Sequence, residues 1–258
     1  MVKKYKGFLG NFQYDDKEFK LETNCLRYIG DETDGSKIKI PAGITDCGYM
    51  FHGCYSLMRA PVIPESVTNC GYMFYNCSSL SEVPEIPTGV TNCDAMFYGC
   101  KLLVKAPEIP AGVTNCDYMF HNCSSLLKAP EIPVRVTDCY SMFGGCSSLT
   151  EVSEIPVGVT NCRFMFNGCR SLVSTPTIPA GVTDCNYMFY NCSSLSKAPE
   201  IPVGVTNCNS MFYGCDFLQN YSLDNATYRD EMYCNCPPII QETDSFVQKF
   251  KERTKFNA

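Results

Sequence analysis

The 258-residue chain carries a formal net charge of −6, 19 cysteines and no tryptophan. With a pI near 5.0 and no basic run beyond a modest Lys/Arg-bearing tail, nucleic acid and anionic membranes are disfavoured as partners. No stretch reaches the roughly 18 apolar residues of a membrane span, and Met1-Val2-Lys3-Lys4 precedes no apolar run of the kind a signal peptide has.

Residues 1–40 read as a strand-rich N-terminal cap. A hairpin is expected with Gly7–Tyr14 and Glu18–Leu21 on either side of Asp15-Asp16-Lys17. A further strand is expected through Cys25–Ile29 and a turn over Gly30–Gly35. Lys37-Ile38-Lys39-Ile40 then alternates polar and apolar, as a strand with one buried face does.

Residues 41–218 hold eight copies of a 23-residue unit, typified by Ile109-Pro110-Ala111-Gly112-Val113-Thr114-Asn115-Cys116-Asp117-Tyr118-Met119-Phe120-His121-Asn122-Cys123-Ser124-Ser125-Leu126. A fixed period of this size predicts a repeat solenoid, in which each unit buries its apolar face only against its neighbours. Val113, Cys116, Phe120 and Cys123 are spaced 3, 4, 3, so a short helical or 3-10 turn is expected there. A column of Gly or Asn, Gly53 to Gly214, is expected to stop it in the left-handed region. The other side runs Leu-x-x-Ala/Val-Pro, as in Leu126-Leu127-Lys128-Ala129-Pro130. Proline breaks any ladder at that column, so parallel strands of about three or four residues are expected.

Sixteen cysteines fall in two columns, Cys47 to Cys208 and Cys54 to Cys215, each repeating every 23 residues. Stacked about 4.8 Å apart, they read as ladders of small buried thiols. Disulfides and zinc are the competing readings. Cys-x6-Cys lacks the short pairs of structural zinc sites, and so many free thiols suit a reducing setting. Residues 219–258 read as a degenerate ninth repeat, with Ala226-Thr227 and Met232-Tyr233-Cys234-Asn235-Cys236, followed by an amphipathic capping helix over Asp244–Arg253.

Val-Thr-Asn-Cys-x-x-Met-Phe-x-x-Cys-Ser-Ser-Leu followed by Ile-Pro resembles the BspA-like, or Treponema-type, leucine-rich repeats. The resemblance covers about residues 40–240 and recurs eight times. It implies a leucine-rich-repeat fold and a non-enzymatic scaffold for protein recognition or adhesion, of a bacterial surface type. Similar repeats in phage-encoded proteins give the alternative of a virion-associated structural or receptor-binding component. The resemblance carries no catalytic residues to transfer.

Two columns change from repeat to repeat while their neighbours do not, which points to solvent. One holds Tyr49, Tyr72, Tyr118 and Tyr187, with Ala95, Ser141, Phe164 and Ser210. The other holds His52, Tyr75, Tyr98, His121, Tyr190 and Tyr213, with Gly144 and Asn167. Tyrosine is a stiff, amphipathic anchor at interfaces, so this stripe is the candidate ligand-binding surface, for a protein partner or for stacked sugar rings. The alternative is that the rings pack along the repeat axis and cover the turns. An acidic column, Glu85, Glu108, Glu131, Glu154 and Glu200, reads as a solvated face. Calcium at Glu82/Glu85 or Glu151/Glu154, neither pair including a lysine, is the minor alternative. No cofactor, metal triad, phosphate loop or Ser/His/Asp arrangement is discernible.

Overall fold

A computed structural model describes residues 1–218. The degenerate ninth repeat and the capping helix expected from sequence lie outside the described residues.

The chain opens with two hairpins instead of one. Strand β1 (Val2–Gly7) pairs antiparallel with β2 (Gly10–Asp15), from Val2 opposite Asp15 to Gly7 opposite Gly10. Strand β3 (Phe19–Leu21) pairs with β4 (Leu26–Tyr28), Phe19 opposite Tyr28. Asp15-Asp16-Lys17 therefore joins two hairpins and is not the tip of one. The lysine-rich β1 shows no buried face in sequence, yet it forms because β2 supplies its backbone partners and Tyr5 stacks on Phe12 at 5.0 Å. The N-terminal amine adds bonds to the carboxylates of Asp15 and Asp16.

A single 3-10 turn follows over Gly35–Lys37, capped by Asp34, whose side chain accepts from the Ser36 amide. Gly35 is dictated by space, since a Cβ there would lie 2.3 Å from the Arg59 carbonyl oxygen. The strand expected over Lys37–Ile40 is absent, although Ile38 and Ile40 are buried and Lys39 is exposed. The two hairpins lie on the first repeat. The Thr45 amide donates to Leu9 at 2.9 Å and the Tyr28 amide to Met50 at 2.8 Å, and the Tyr28 ring sits 5.2 Å from that of Phe51.

From there on, residues 23 apart pair as single parallel bridges. One column runs Asp46, Asn69, Asn92, Asn115 and, further on, Asp138, Asn161, Asp184, Asn207. The other includes Arg59 with Glu82, and Lys105, Lys128 and Glu151. Among the described residues no strand of three or four residues forms on the Leu-x-x-Ala/Val-Pro side. The bridge closes at Ala60, whose amide donates to Glu82 at 2.9 Å, and the next residue is Pro61, with no N–H to continue.

The opposite side is neither helix nor strand. In the unit above, Met119, His121 and Cys123 donate to the carbonyls three residues back, at 2.9–3.1 Å. The alternate amides, Tyr118, Phe120 and Asn122, donate forward to Tyr140, Met142 and Gly144 of the next repeat at 2.7–3.0 Å. A helix would need all of them locally. The expected helical turn is thus replaced by linked tight turns, with left-handed backbone at Tyr118 (φ 54°) and Asn122 (φ 59°). The apolar 3, 4, 3 spacing reflects chain reversal at these residues.

Inside, each repeat contributes Val, Cys, Met, Phe and Leu, nearly all inaccessible to solvent. Eight phenylalanines from Phe51 to Phe212 stack at 5.5–5.7 Å, with ring planes within 13° of one another. The described cysteines are free thiols, and all but Cys25 and Cys54 are buried. In the second column Cys77 to Cys215 donate S–H to a core carbonyl 26 residues back, as Cys123 does to Phe97 at 3.1 Å. No described helix is long and apolar enough to cross a membrane.

Candidate functional site

The ten Tyr and His residues singled out from sequence do come together, on the turn side, in two adjacent rows. The row of Tyr49, Tyr72, Tyr118 and Tyr187 occupies the first left-handed position of each unit, φ 54–59°. Non-glycine residues take this conformation at a cost of about 1–2 kcal/mol. Here the amides flanking it are fixed by both local and inter-repeat bonds, which hold the backbone in place.

The second row is a continuous four-ring stack. His52 lies 5.0 Å from Tyr75, Tyr75 lies 4.4 Å from Tyr98, and Tyr98 lies 4.7 Å from His121, all within 17° of parallel. Tyr190 and Tyr213 form a separate pair at 4.7 Å. In the first row Tyr49 stacks on Tyr72 at 4.7 Å, and Phe164 on Tyr187 at 4.7 Å. Cross-contacts at 5.6–6.0 Å tie the rows together through Tyr49–His52, Tyr72–Tyr75, Tyr118–His121 and Tyr187–Tyr190.

Most of these residues are half-buried, so the expectation of a solvent-facing stripe is corrected: the rings pack along the repeat axis. Tyr49, at 45% exposure, is the most open of them. Both faces of Tyr75 and of Tyr98 are covered by neighbouring rings, which leaves their edges outward. Several hydroxyls are also engaged within the ladder. The Tyr72 hydroxyl lies beside the Asp94 carboxylate, and burial foremost, then the Asp94 charge, pushes its phenol up to about 12. That of Tyr75 lies beside Tyr98, and that of Tyr118 beside Tyr140. Among the described residues, the hydroxyls of Tyr49, Tyr187, Tyr190 and Tyr213 have no such partner.

The first row breaks at Ala95, Ser141 and Ser210 and the second at Gly144 and Asn167, and the molecule repairs one break. Tyr140, one position ahead of the row, swings between Tyr118 (5.0 Å) and Phe164 (5.8 Å). His121 meets Ser141 at 2.8 Å between Nδ1 and Oγ. It leans over Gly144, where a Cβ would come 2.7 Å from Nδ1. Burial holds His52 and His121 below the ordinary imidazole range.

Beneath the rings, each Asx of the bridge column from Asp46 to Asp184 accepts from the amide two residues on, at 2.7–3.1 Å. Some also join across repeats, as Asn92 Nδ2 does to Asn69 Oδ1 at 2.8 Å. Sequence reasoning missed Asp94, Asp117, Tyr140 and Arg163, which share the position just before the Tyr row. Its residues differ from repeat to repeat, and that was the available signal. Asp117 lies against Asp138, and its Oδ1 is buried without a hydrogen-bond partner. Burial first, then the charges of Asp138 and Asp94, raise it to about 7. Arg163 packs over the Phe164 ring at 5.3 Å with its Nε unpartnered.

In the acidic region, Glu82 and Glu151 take cations from the preceding repeat, Arg59 at 2.8 Å and Lys128 at 3.2 Å. Among the described residues no group of three or more His, Cys, Asp or Glu side chains is disposed to hold a metal ion.

The family model for the BspA type Leucine rich repeat region matches residues 31–127 and 117–240, in six copies. The chain belongs to the BspA-type leucine-rich repeat family. This BspA-type chain is similar to a leucine-rich repeat protein of T. pallidum, with a TM-score of 0.54 and 24% identity over 80% of this chain and 90% of the other. It is also similar to one from Eubacterium ventriosum, with a TM-score of 0.55 and 24% identity over 84% of this chain and 54% of the other. Both likenesses concern the fold. No curated protein matches the BspA-type chain.

Proposed function

We propose that the chain is a non-enzymatic protein-recognition scaffold: a solenoid of eight repeats over residues 41–218, capped by residues 1–40 and 219–258, that binds a protein partner through the Tyr/His face. A role in adhesion at a bacterial surface rests on the family resemblance alone. The observation that carries the proposal is the ring geometry. Stacked rungs hide their faces and present edges, and edges with free hydroxyls suit the polar, shape-matched contacts of a protein interface. Sugar stacking needs open faces, which the inner rungs do not offer. Tyr49, Tyr187, Tyr190 and Tyr213 are the residues assigned to contact the partner.

A display library of folded protein domains and a glycan array, probed with the same labelled chain, test this. Domain binders are expected whose affinity falls at least about tenfold, or about 1.4 kcal/mol, when Tyr49, Tyr187 and Tyr190 are changed to Ala. Signal confined to the glycans, or domain binding indifferent to those changes, would overturn the proposal.

A further inference from the structure

Residues that recur in every repeat are accounted for by the repeat itself. Exposed departures from it are not. After the second cysteine four of the eight units read Ser-Ser-Leu, as in Ser78-Ser79-Leu80-Ser81-Glu82 and Ser147-Ser148-Leu149-Thr150-Glu151. The third unit instead reads Lys101-Leu102-Leu103-Val104-Lys105, and the fourth continues with Leu127-Lys128. Leu103 fills the core position. The others do not pack inward: Leu102 is 53% exposed, Val104 50% and Leu127 49%.

These residues form one patch. The Leu127 amide donates to the Val104 carbonyl at 3.3 Å, and Lys105 bridges Lys128 of the next repeat. Single exposed apolar residues need no explanation. Three side by side, where the repeats on either side carry Ser79 and Ser81 or Ser148 and Thr150, expose apolar area with no return in packing. The patch is also flanked by cations in a protein of net charge −6. Lys128 reaches Glu151 at 3.2 Å between two largely exposed side chains, a contact that salt and solvent weaken. Among the described residues Lys101 and Lys105 have no ion-pair partner. Two like charges held side by side at Lys105 and Lys128 repel unless an anion lies across them.

We propose that Leu102, Val104 and Leu127, flanked by Lys101, Lys105 and Lys128, form a docking surface for an acidic protein segment that alternates carboxylate and apolar side chains. The apolar side chains of that segment cover the Leu/Val patch while its carboxylates pair with the lysines. Bound together these contacts give both area and register. The surface is separate from the Tyr/His face and shares with it only the premise that the chain recognises protein.

The test exchanges the third repeat's insert for the second repeat's own residues: Lys101→Ser, Leu102→Ser, Val104→Ser and Lys105→Glu together. Each replacement already stands in the same frame one repeat away, so the variant is expected to keep its far-UV circular dichroism. Fluorescein-labelled peptides alternating Glu with Leu, Glu with Ser, and Lys with Leu are titrated against the full chain by anisotropy. The Glu/Leu peptide is expected to bind and to weaken at least about tenfold with the variant, and to weaken as salt rises. The other two are expected not to bind. Equal binding to wild type and variant, or no preference for the Glu/Leu peptide, would overturn the docking surface. So would a wild type that sediments as an oligomer and becomes monomeric in the variant, because the cover would then be a second copy. The triple Tyr variant is run in parallel. Glu/Leu binding that it leaves intact separates this surface from the aromatic face.

Discussion

The ring of Tyr75 lies 4.4 Å from that of Tyr98, only 10° from parallel, and burial foremost, then the neighbouring Tyr98 hydroxyl, raises the Tyr75 phenol. Tyr98 stacks in turn on His121 at 4.7 Å. An aromatic pair contributes about 0.5–1.5 kcal/mol beyond its buried area. Tyr98→Ala removes two such contacts and part of the covering of the turns, so a loss of about 1–3 kcal/mol is expected in urea unfolding. Tyr98→Phe keeps the stack and loses one hydroxyl, so it is expected to cost under about 1.5 kcal/mol. Equal losses for the two variants would mean that the hydroxyls, not the stacked faces, hold the ladder.

What could be seen in the sequence was the burial pattern. Val113, Cys116, Met119, Phe120, Cys123 and Leu126 are all inaccessible to solvent, and each was marked by chemistry that recurs unchanged. The left-handed Gly/Asn column was also legible, because those residue types tolerate that backbone. The left-handed Tyr row was not, since tyrosine and Ala95 do not announce positive φ. The helical turn failed for a related reason: a 3, 4, 3 spacing cannot show that Tyr118, Phe120 and Asn122 send their amides to the next repeat. Tyr140 and Asp117 were missed because their contacts run diagonally, to Phe164 and Asp138, and not within a column.

Asn92 is held on two sides. Its Oδ1 accepts from the Asp94 amide at 3.1 Å and its Nδ2 donates to Asn69 at 2.8 Å. Asn92→Leu leaves the Asp94 amide unmatched and takes from the Asn69 oxygen one of its two donors, the Gly71 amide remaining, and a loss of about 2–3 kcal/mol is expected. Asn92→Asp keeps the acceptor for the turn and loses only the donor to Asn69, so about 1 kcal/mol is expected. Denaturant midpoints of the two variants check the order. A larger loss for Asn92→Asp would show that the cross-repeat amide bond outweighs the turn.

The thiols are expected to divide sharply by position. Cys25 and Cys54 are half-buried, while the other described cysteines are buried. In both, burial raises the thiol above its ordinary value; Glu22 adds to this at Cys25, and Arg27 opposes it at Cys54. Native maleimide labelling followed by peptide mapping is therefore expected to mark these two, slowly, and to leave Cys123 and its column unmarked until denaturation. Cys123→Ser retains a donor for the Phe97 carbonyl, 3.1 Å from the sulfur. Cys123→Val does not, but the Cys100 amide still donates to that carbonyl at 3.0 Å, so it should cost no more than about 1 kcal/mol beyond the serine variant. Native labelling at Cys123 at the rate of Cys54 would contradict the buried ladder.

Asp117 makes the stability of the chain depend on pH. Asp138 accepts from the Tyr140 amide at 2.9 Å and from Asn161 at 3.1 Å, whereas Asp117 Oδ1 is buried without a hydrogen-bond partner. Burial, then Asp138 and Asp94, raise Asp117 from 3.8 to about 7. A carboxyl raised on folding contributes stability that is complete below the unfolded value and is lost as pH climbs through the folded one. The loss should therefore run from about pH 4 to about pH 7 and then level off. Asp117→Asn supplies a neutral donor to Asp138 at every pH, and Asn186 and Asn209 already occupy the equivalent place in later repeats. The variant is expected to melt above the wild type at pH 8 and no higher than it at pH 4.5. Thermal unfolding at these two values decides: a difference of the same size and sign at both would mean that Asp117 is ionised in the folded chain throughout this range.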